Sequence, residues 1–417
     1  MFLKLPSSAP SASFRCLVAF IVLISAQPLV AQTDSSRLLN DIRTLAHDNH
    51  QGRGAGSIGE QNAAIYIASA FKKVGLQPKG DGKSYLQKFN FNKGIHGEGR
   101  TMQTANVVAF LDNKRSHTIV IGAHYDHLGT DGQGSSLEPN PADKIHNGAD
   151  DNASGVAGVL ELARYYAGNN VREGNNFLFI CFSGEELGLL GSKYFTEHPT
   201  VDLSTVNYMI NMDMVGRLDR STNTLFVSGV GTSPVWQPLL ERCSSPSLLI
   251  RTDSSGVGPS DHTSFYLKDI PVLHFFTGGH SDYHRPSDDW EKINSSGEAK
   301  ILDVIIALNA ALDVGPKLTF LQTRNKSLAG RATFKVTLGI MPSYSATEEG
   351  LKVDGVTDGR PAHKAGIQTG DVIIEMGPFR ISNIEDYMKA LGEFEKGQTV
   401  PVKVRRSNEV LTFSVTF

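Results

Sequence analysis

From about residue 105 to 312 the chain alternates apolar runs of strand length with helical stripes, and this alternation constrains the fold more than any other feature. Strands are predicted at Asn106–Leu111, Thr118–Ala123, Asn176–Phe182, Val206–Met212, Thr224–Gly229 and Ile270–Phe276. Helices are predicted at Ala153–Ala167, Glu185–Thr196, Pro234–Cys243 and Gly297–Leu312. In the first of these, Val156, Val159, Leu160, Ala163 and Tyr166 form one apolar stripe. Strands alternating with helices imply an α/β fold: a mostly parallel mixed sheet with helices on both faces. Two further helices, Ser36–Ala46 and Glu60–Val74, precede it, separated by the glycine-rich stretch Gly52, Gly54, Gly56, Gly59. That stretch lacks a preceding strand and a Walker lysine, so it reads as a loop rather than a phosphate cradle.

The N-terminus has the pattern of a signal peptide. Lys4 and Arg15 precede the apolar run Cys16–Ile24, small residues follow at Ala26 and Ala31, and polar Gln32, Thr33 and Asp34 come next. The expected layout is a signal peptide over 1–31, a first domain over 33–318, a linker over 319–329 and a second domain over 330–417. The expected location is secreted or periplasmic, with no membrane span after cleavage. A net charge of −3 and the absence of a basic tract argue against a nucleic-acid partner. Cys181 and Cys243, which remain after cleavage, are too few for a disulfide scaffold.

Chemistry-bearing residues cluster where the predicted strands end. His124, Asp126 and His127 follow one strand; Glu185 and Glu186 another; Asp213 a third; His280, Asp282, Tyr283 and His284 a fourth. Asp150 and Asp151 open a helix behind Gly148 and Ala149. In parallel sheets, sites form beyond the carboxyl ends of strands, so these segments can meet at one edge. Carboxylates packed together are costly unless something positive joins them. A metal site is therefore expected, with Asp150 as the carboxylate shared between two ions.

The segments Gly122-Ala-His-Tyr-Asp-His127, Gly148-Ala-Asp-Asp-Asn-Ala-Ser-Gly155, Ser183-Gly-Glu-Glu186, Asn211-Met-Asp-Met-Val-Gly216 and Asp282-Tyr-His284 resemble, in order, the motifs of the co-catalytic di-zinc aminopeptidases. Glutamate carboxypeptidases and glutaminyl cyclases share that superfamily. The resemblance implies a zinc-exopeptidase fold and two Zn2+, with Mn2+ or Co2+ as other ions these donors accept. It implies His124 and Asp213 on one ion, Glu186 and His284 on the other, Asp150 bridging, and Glu185 as general base. Asp126 would orient His124 through its carboxylate, Tyr283 would donate to a developing oxyanion, and Asp151 would lie behind the ligands. A cis peptide is expected at Asp150–Asp151. His127, His146, His262 and His280 are placed behind the site or on the surface, and the loop Asp131–Lys144 beside the substrate. The substrates implied are peptides with a free N-terminus; carboxypeptidase and glutaminyl cyclase are the alternatives on this scaffold.

Beyond the linker the texture changes to short strands with glycine turns and a helix near Asn383–Leu391. Leu338-Gly339-Ile340 and the run Ala365-Gly-Ile-Gln-Thr-Gly-Asp-Val-Ile373 resemble a PDZ domain of the bacterial-protease type, a small β-rich domain. This implies a C-terminal peptide ligand added at a sheet edge. Pro342, just past the carboxylate loop, lacks an N–H that such a ligand would use, so a docking domain with no peptide ligand stands beside that reading. A non-catalytic, PDZ-bearing binding protein is the alternative of another class. It would be expected to have lost a ligand or the base, and none of the six positions is lost.

Overall fold

A computed structural model describes residues 1, 33–92, 100–323, 336–342, 350–356, 359–382, 384–407 and 409–417. The expected signal peptide falls on residues outside these, as does the linker from residue 324 onward. Residues 319–323 lie along the first domain, where the Leu321 N–H donates to the Thr232 carbonyl at 2.8 Å.

Among the described residues the order begins with α1 (Ser35–Leu45), α2 (Ile58–Lys73), β1 (Gln77–Pro78), β2 (Leu86–Asn92), β3 (Thr101–Leu111) and β4 (Thr118–His124). Then come α3 (Gly155–Gly168), β5 (Asn176–Phe182), α4 (Leu190–Glu197), β6 (Val206–Met212), β7 (Thr224–Ser228), α5 (Trp236–Cys243), β8 (Leu249–Asp253), α6 (His262–Tyr266), β9 (Val272–Phe276) and α7 (Ser295–Leu312). The large sheet runs β1-β3-β5-β4-β6-β9-β7-β8, with β2 added to β3. Its centre, β5-β4-β6-β9, is parallel throughout. The flanks are not: β3 joins β5 and β7 joins β9 antiparallel.

Alternation along the strands builds two cores. Ile119, Ile121, Phe177 and Phe179 point to one face, covered by α1, α2, α3, α5 and α7. Val120, Leu178, Ile180 and Phe182 point to the other, covered by Phe195 of α4 and Phe265 of α6. The central strands are buried along their whole length, which is why they read as continuous apolar runs. All four end at one edge, and that edge carries the site.

A second, antiparallel sheet has its own core. It comprises β10 (Ile340–Pro342), β11 (Leu351–Val356), α8 (Pro361–Ala365), β12 (Val372–Met376), β13 (Phe379–Arg380), α9 (Ile384–Glu393), β14 (Thr399–Arg406) and β15 (Glu409–Thr416). The strand order is β10-β11-β12-β14-β15. Leu338, Val353, Ile373, Ala390, Val402 and Val415 fill the space between sheet and α9.

Candidate metal centre

Four parallel strands deliver the side chains. His124 ends β4, Glu185 and Glu186 follow β5 by a short turn, Asp213 follows β6, and His284 lies on the loop after β9. Strand pairing fixes their relative height: His124 lies opposite Phe182, and the Asp213 N–H donates to the Phe275 carbonyl at 3.1 Å.

The carboxylate these elements surround is that of Asp151. Its Oδ1 lies 3.3 Å from His124 Nε2, and its Oδ2 lies 3.3 Å from His284 Nε2. The first group is closed by Asp213 Oδ1, 3.3 Å from His124 Nε2. The second is closed by Glu186 Oε2, 3.1 Å from His284 Nε2. His127 joins the second group, with Nδ1 2.8 Å from Glu186 Oε1.

Asp150 does not hold the place expected for it. Its Oδ1 accepts from the Gly216 N–H at 2.7 Å and the Ser154 hydroxyl at 3.1 Å, while its Oδ2 lies 3.1 Å from His280 Nε2. None of these partners belongs to the two groups. The physical reason is the left-handed turn at Gly148 (φ 54), after which adjacent residues present their side chains to opposite sides. A Cβ at Gly148 would lie 2.1 Å from the Asp151 carbonyl and 2.5 Å from the His127 ring, so the turn requires glycine. The cis peptide is likewise one residue later than expected, at Asp151–Asn152.

Two other expectations change. His124 Nδ1 meets the backbone carbonyl of Asp126 at 3.1 Å, whereas the Asp126 carboxylate is 3.7 Å away and accepts the Glu185 N–H at 3.1 Å. The peptide, not the carboxylate, orients the ring, and the carboxylate holds the turn that carries Glu185. Secondly, His127 stands within the second group as a partner of Glu186, while His280 lies behind the site on Asp150. Tyr283 is half-buried, with its ring stacked on His284 at 3.8 Å between centroids.

The donor set fits divalent cations. A carbonyl oxygen can only accept, so His124 donates from Nδ1 to the Asp126 carbonyl and His284 donates from Nδ1 to that of Ser135, 2.9 Å away. Each ring thus presents Nε2 to a pair of carboxylate oxygens. A neutral ring would aim a lone pair at negative charge in both groups, an arrangement that a cation between them relieves. Two imidazoles and two further carboxylates around the shared Asp151 are a donor set suited to zinc.

The neighbours Glu185 and Glu186 are driven apart. Burial pushes the Glu185 carboxyl well above the usual range, and the negative charges of Glu186 and Asp213 add to this against the pull of His124. Burial acts the same way on Glu186, but His284 and His127 overcome it and bring the group down to about 2. The two neighbours thus sit in different fields, Glu186 against the imidazoles of His284 and His127 and Glu185 against the carboxylates of Glu186 and Asp213.

Residues 106–309 match the family model described as peptidase family M28, and residues 336–417 match that of a PDZ domain. The chain carries a peptidase family M28 domain followed by a PDZ domain. A probable leucine aminopeptidase of Trichophyton verrucosum is 26% identical along 275 residues, 64% of this chain and 65% of the relative. Aminopeptidase YwaD of Bacillus subtilis is 29% identical along 208 residues, 46% of this chain and 41% of the relative. The chain therefore spans less than two thirds of the length of both relatives. A solved zinc-dependent exopeptidase from Parabacteroides distasonis superposes with a TM-score of 0.55 at 19% identity, over 67% of this chain and 98% of the neighbour. This last likeness is one of fold.

Several buried residues around the candidate site carry no sequence signal of their own. Arg53 is buried in the glycine-rich loop, and Asp288 is buried behind Asp150 and Asp151. Glu60 opens α2 yet is buried against Thr104 and Ser183. Only proximity to the ligand motifs could have singled out Asp288, four residues past His284.

Proposed function

We infer that the chain is an exported zinc-dependent aminopeptidase that removes N-terminal residues from peptides. The observation that carries this reading is the arrangement of Asp151 between two imidazole Nε2 atoms, each also facing a second carboxylate. His124 and Asp213 would hold one zinc, Glu186 and His284 the other, and Asp151 would bridge the pair. Bound divalent ions supply a Lewis-acid contact for the scissile carbonyl and raise the acidity of bound water. Glu185 is the general base: its carboxylate takes the proton of the attacking water and passes it to the leaving amine. Its backbone N–H, held by Asp126, fixes where that carboxylate stands. Tyr283 is held by its stack on His284, from which its hydroxyl would reach a developing oxyanion. The N-terminal pattern supports export, to the periplasm or beyond.

The second domain is read as a peptide-end binder. Strand β10 pairs with β11 on one side and, among the described residues, has no strand on the other. Gly339 (φ 75) makes the turn of the carboxylate loop, and Pro342 interrupts the open edge. Absence of binding across a C-terminal peptide library would leave this domain a docking role.

The test of the activity is a panel of free and N-blocked peptides, with and without a chelator. Chelator-sensitive cleavage of free peptides alone is the expected result. Release of C-terminal residues from blocked peptides would favour a carboxypeptidase, and cyclisation of N-terminal glutamine a glutaminyl cyclase.

A further inference from the structure

The segment that carries Asp151 is held from both of its polar sides by buried charged side chains. On one side, Arg53 donates from Nη1 to the Asn147 carbonyl at 2.7 Å and from Nη2 to the Gly148 carbonyl at 2.8 Å. The same guanidinium donates to the Tyr125 carbonyl at 2.8 Å, one residue past His124, and to Leu45 at the end of α1, also at 2.8 Å. On the other side, Asp288 Oδ2 accepts the N–H groups of Asp150 and Asp151, each at 3.0 Å, and its backbone carbonyl accepts that of Ala149 at 3.0 Å. Arg53 is 1% exposed and Asp288 0%.

The arrangement is unusual for a buried arginine. Its hydrogen bonds go to carbonyl oxygens, and no carboxylate lies within salt-bridge distance of it among the described residues. A buried charge without a paired counter-ion is costly. Here the compensation is the surrounding negative field: burial lowers the Arg53 pKa to about 10, while Asp151, Asp126, Asp288 and Glu186 hold the charge in place. Arg53 also sits at φ 50, two residues past Gln51 at φ 48. Non-glycine residues keep such angles where their surroundings over-determine them. The Arg53 and Gly52 carbonyls in turn accept the N–H groups of His127 at 3.2 Å and Gly129 at 3.0 Å. One loop thus ties the β4 end and the Asp151 segment into a single body.

We propose that Arg53 and Asp288 are a pair of positioning residues, cation on the carbonyls and anion on the amides, that fix the backbone of residues 147–151 so that Asp151 faces both ligand groups. Neither touches the ligand atoms. They act through the backbone, and charge-assisted hydrogen bonds to it are the strong kind. Lysine cannot replace Arg53, because one ammonium does not span carbonyls from three separate segments. The proposal rests on the reading of Asp151 as the shared zinc ligand.

The test is zinc affinity of the full chain carrying R53K or D288N, read by competition with a chromogenic chelator, alongside melting temperatures with and without zinc. D288N keeps the shape and one acceptor oxygen and removes the charge. Expected in each variant is a zinc affinity weaker by about tenfold or more and a smaller zinc-dependent rise in melting temperature than the parent shows, beyond any fall in the metal-free melting point. Lower metal-free stability with parental zinc affinity would overturn the proposal, since the pair would then serve the fold alone. Failure of both variants to fold without zinc would overturn it for the same reason. A parent that binds no zinc overturns the zinc reading of the site and this proposal with it. Parental zinc binding with unaltered variants overturns this proposal only.

Discussion

At the carboxyl edge of the large sheet His124, Asp126, His127, Asp150, Asp151, Asp261 and Asp288 are all buried, whereas among the described residues of the second sheet Asp371 is the one buried charged side chain. Asp371 is fully matched: Arg406 grips it with Nε at 2.7 Å and Nη2 at 2.8 Å, and the Gln368 N–H adds a third contact at 2.8 Å. The edge of the large sheet is not matched internally. Asp126 Oδ2, His127 Nε2, Asp288 Oδ1 and both carboxylate oxygens of Asp261 have no hydrogen-bond partner there. A fold that only had to be stable would resolve its charges as the second sheet does. Unresolved buried charge is tolerated where ligands complete it.

The largest effect separates the two aspartates. Asp151→Ala should lose zinc and all chelator-sensitive turnover, while Asp150→Ala should retain zinc with a partial loss of activity; elemental analysis of both reads the difference. Retention of zinc by Asp151→Ala would return the bridge to Asp150. Next, Glu185→Gln should keep its zinc and lose about 10²–10⁴-fold in kcat, and near-parental kcat would remove Glu185 as base. The third prediction concerns the matched domain. Arg406→Met strands the Asp371 carboxylate and should cost about 2 kcal/mol in unfolding of the second domain, with zinc content unchanged. A loss of zinc in that variant would break the contrast between the regions.

The smallest effect is one of pH. Burial, with Asp126 nearby, raises the Glu60 carboxyl from 4.5 to about 8. Across that window the native state holds a proton that the unfolded chain has released. This contribution to stability is therefore complete below 4.5 and is lost as pH rises through about 8. Glu60→Gln should flatten the fall in melting temperature between about pH 5 and 9; a slope equal to the parent's would place the titration elsewhere.

How much of this was legible depended on burial. Asn176–Phe182 and Val206–Met212 were read from sequence with the boundaries they have, because strands buried on both faces are unbroken apolar runs. Strand β2 was not read, since Leu86–Asn92 has only a half-buried alternation and its partner β3 starts at Thr101, five residues before the apolar run. The helix expected from Glu185 begins at Leu190 because Gly188 (φ 102) and Leu189 (φ 62) turn the chain first, which leaves Glu185 and Glu186 on a loop. The antiparallel flanks of the mixed sheet, β3 on β5 and β7 on β9, are pairings that hydrophobic pattern does not encode. In the site, residue types and segments were legible and backbone direction was not. The side that Asp150 and Asp151 each face is set by the turn at Gly148 and by contacts from Arg53 and Asp288, distant in the chain.

The side-by-side aspartates have a consequence for reading relatives and for redesign. Two identical residues in tandem make a one-position slip in an alignment nearly silent, since Asp still falls on Asp while the ligand and the brace beneath it trade names. Anyone transplanting this centre into another scaffold must carry the whole turn, both acids and the two distant grips, as one cassette.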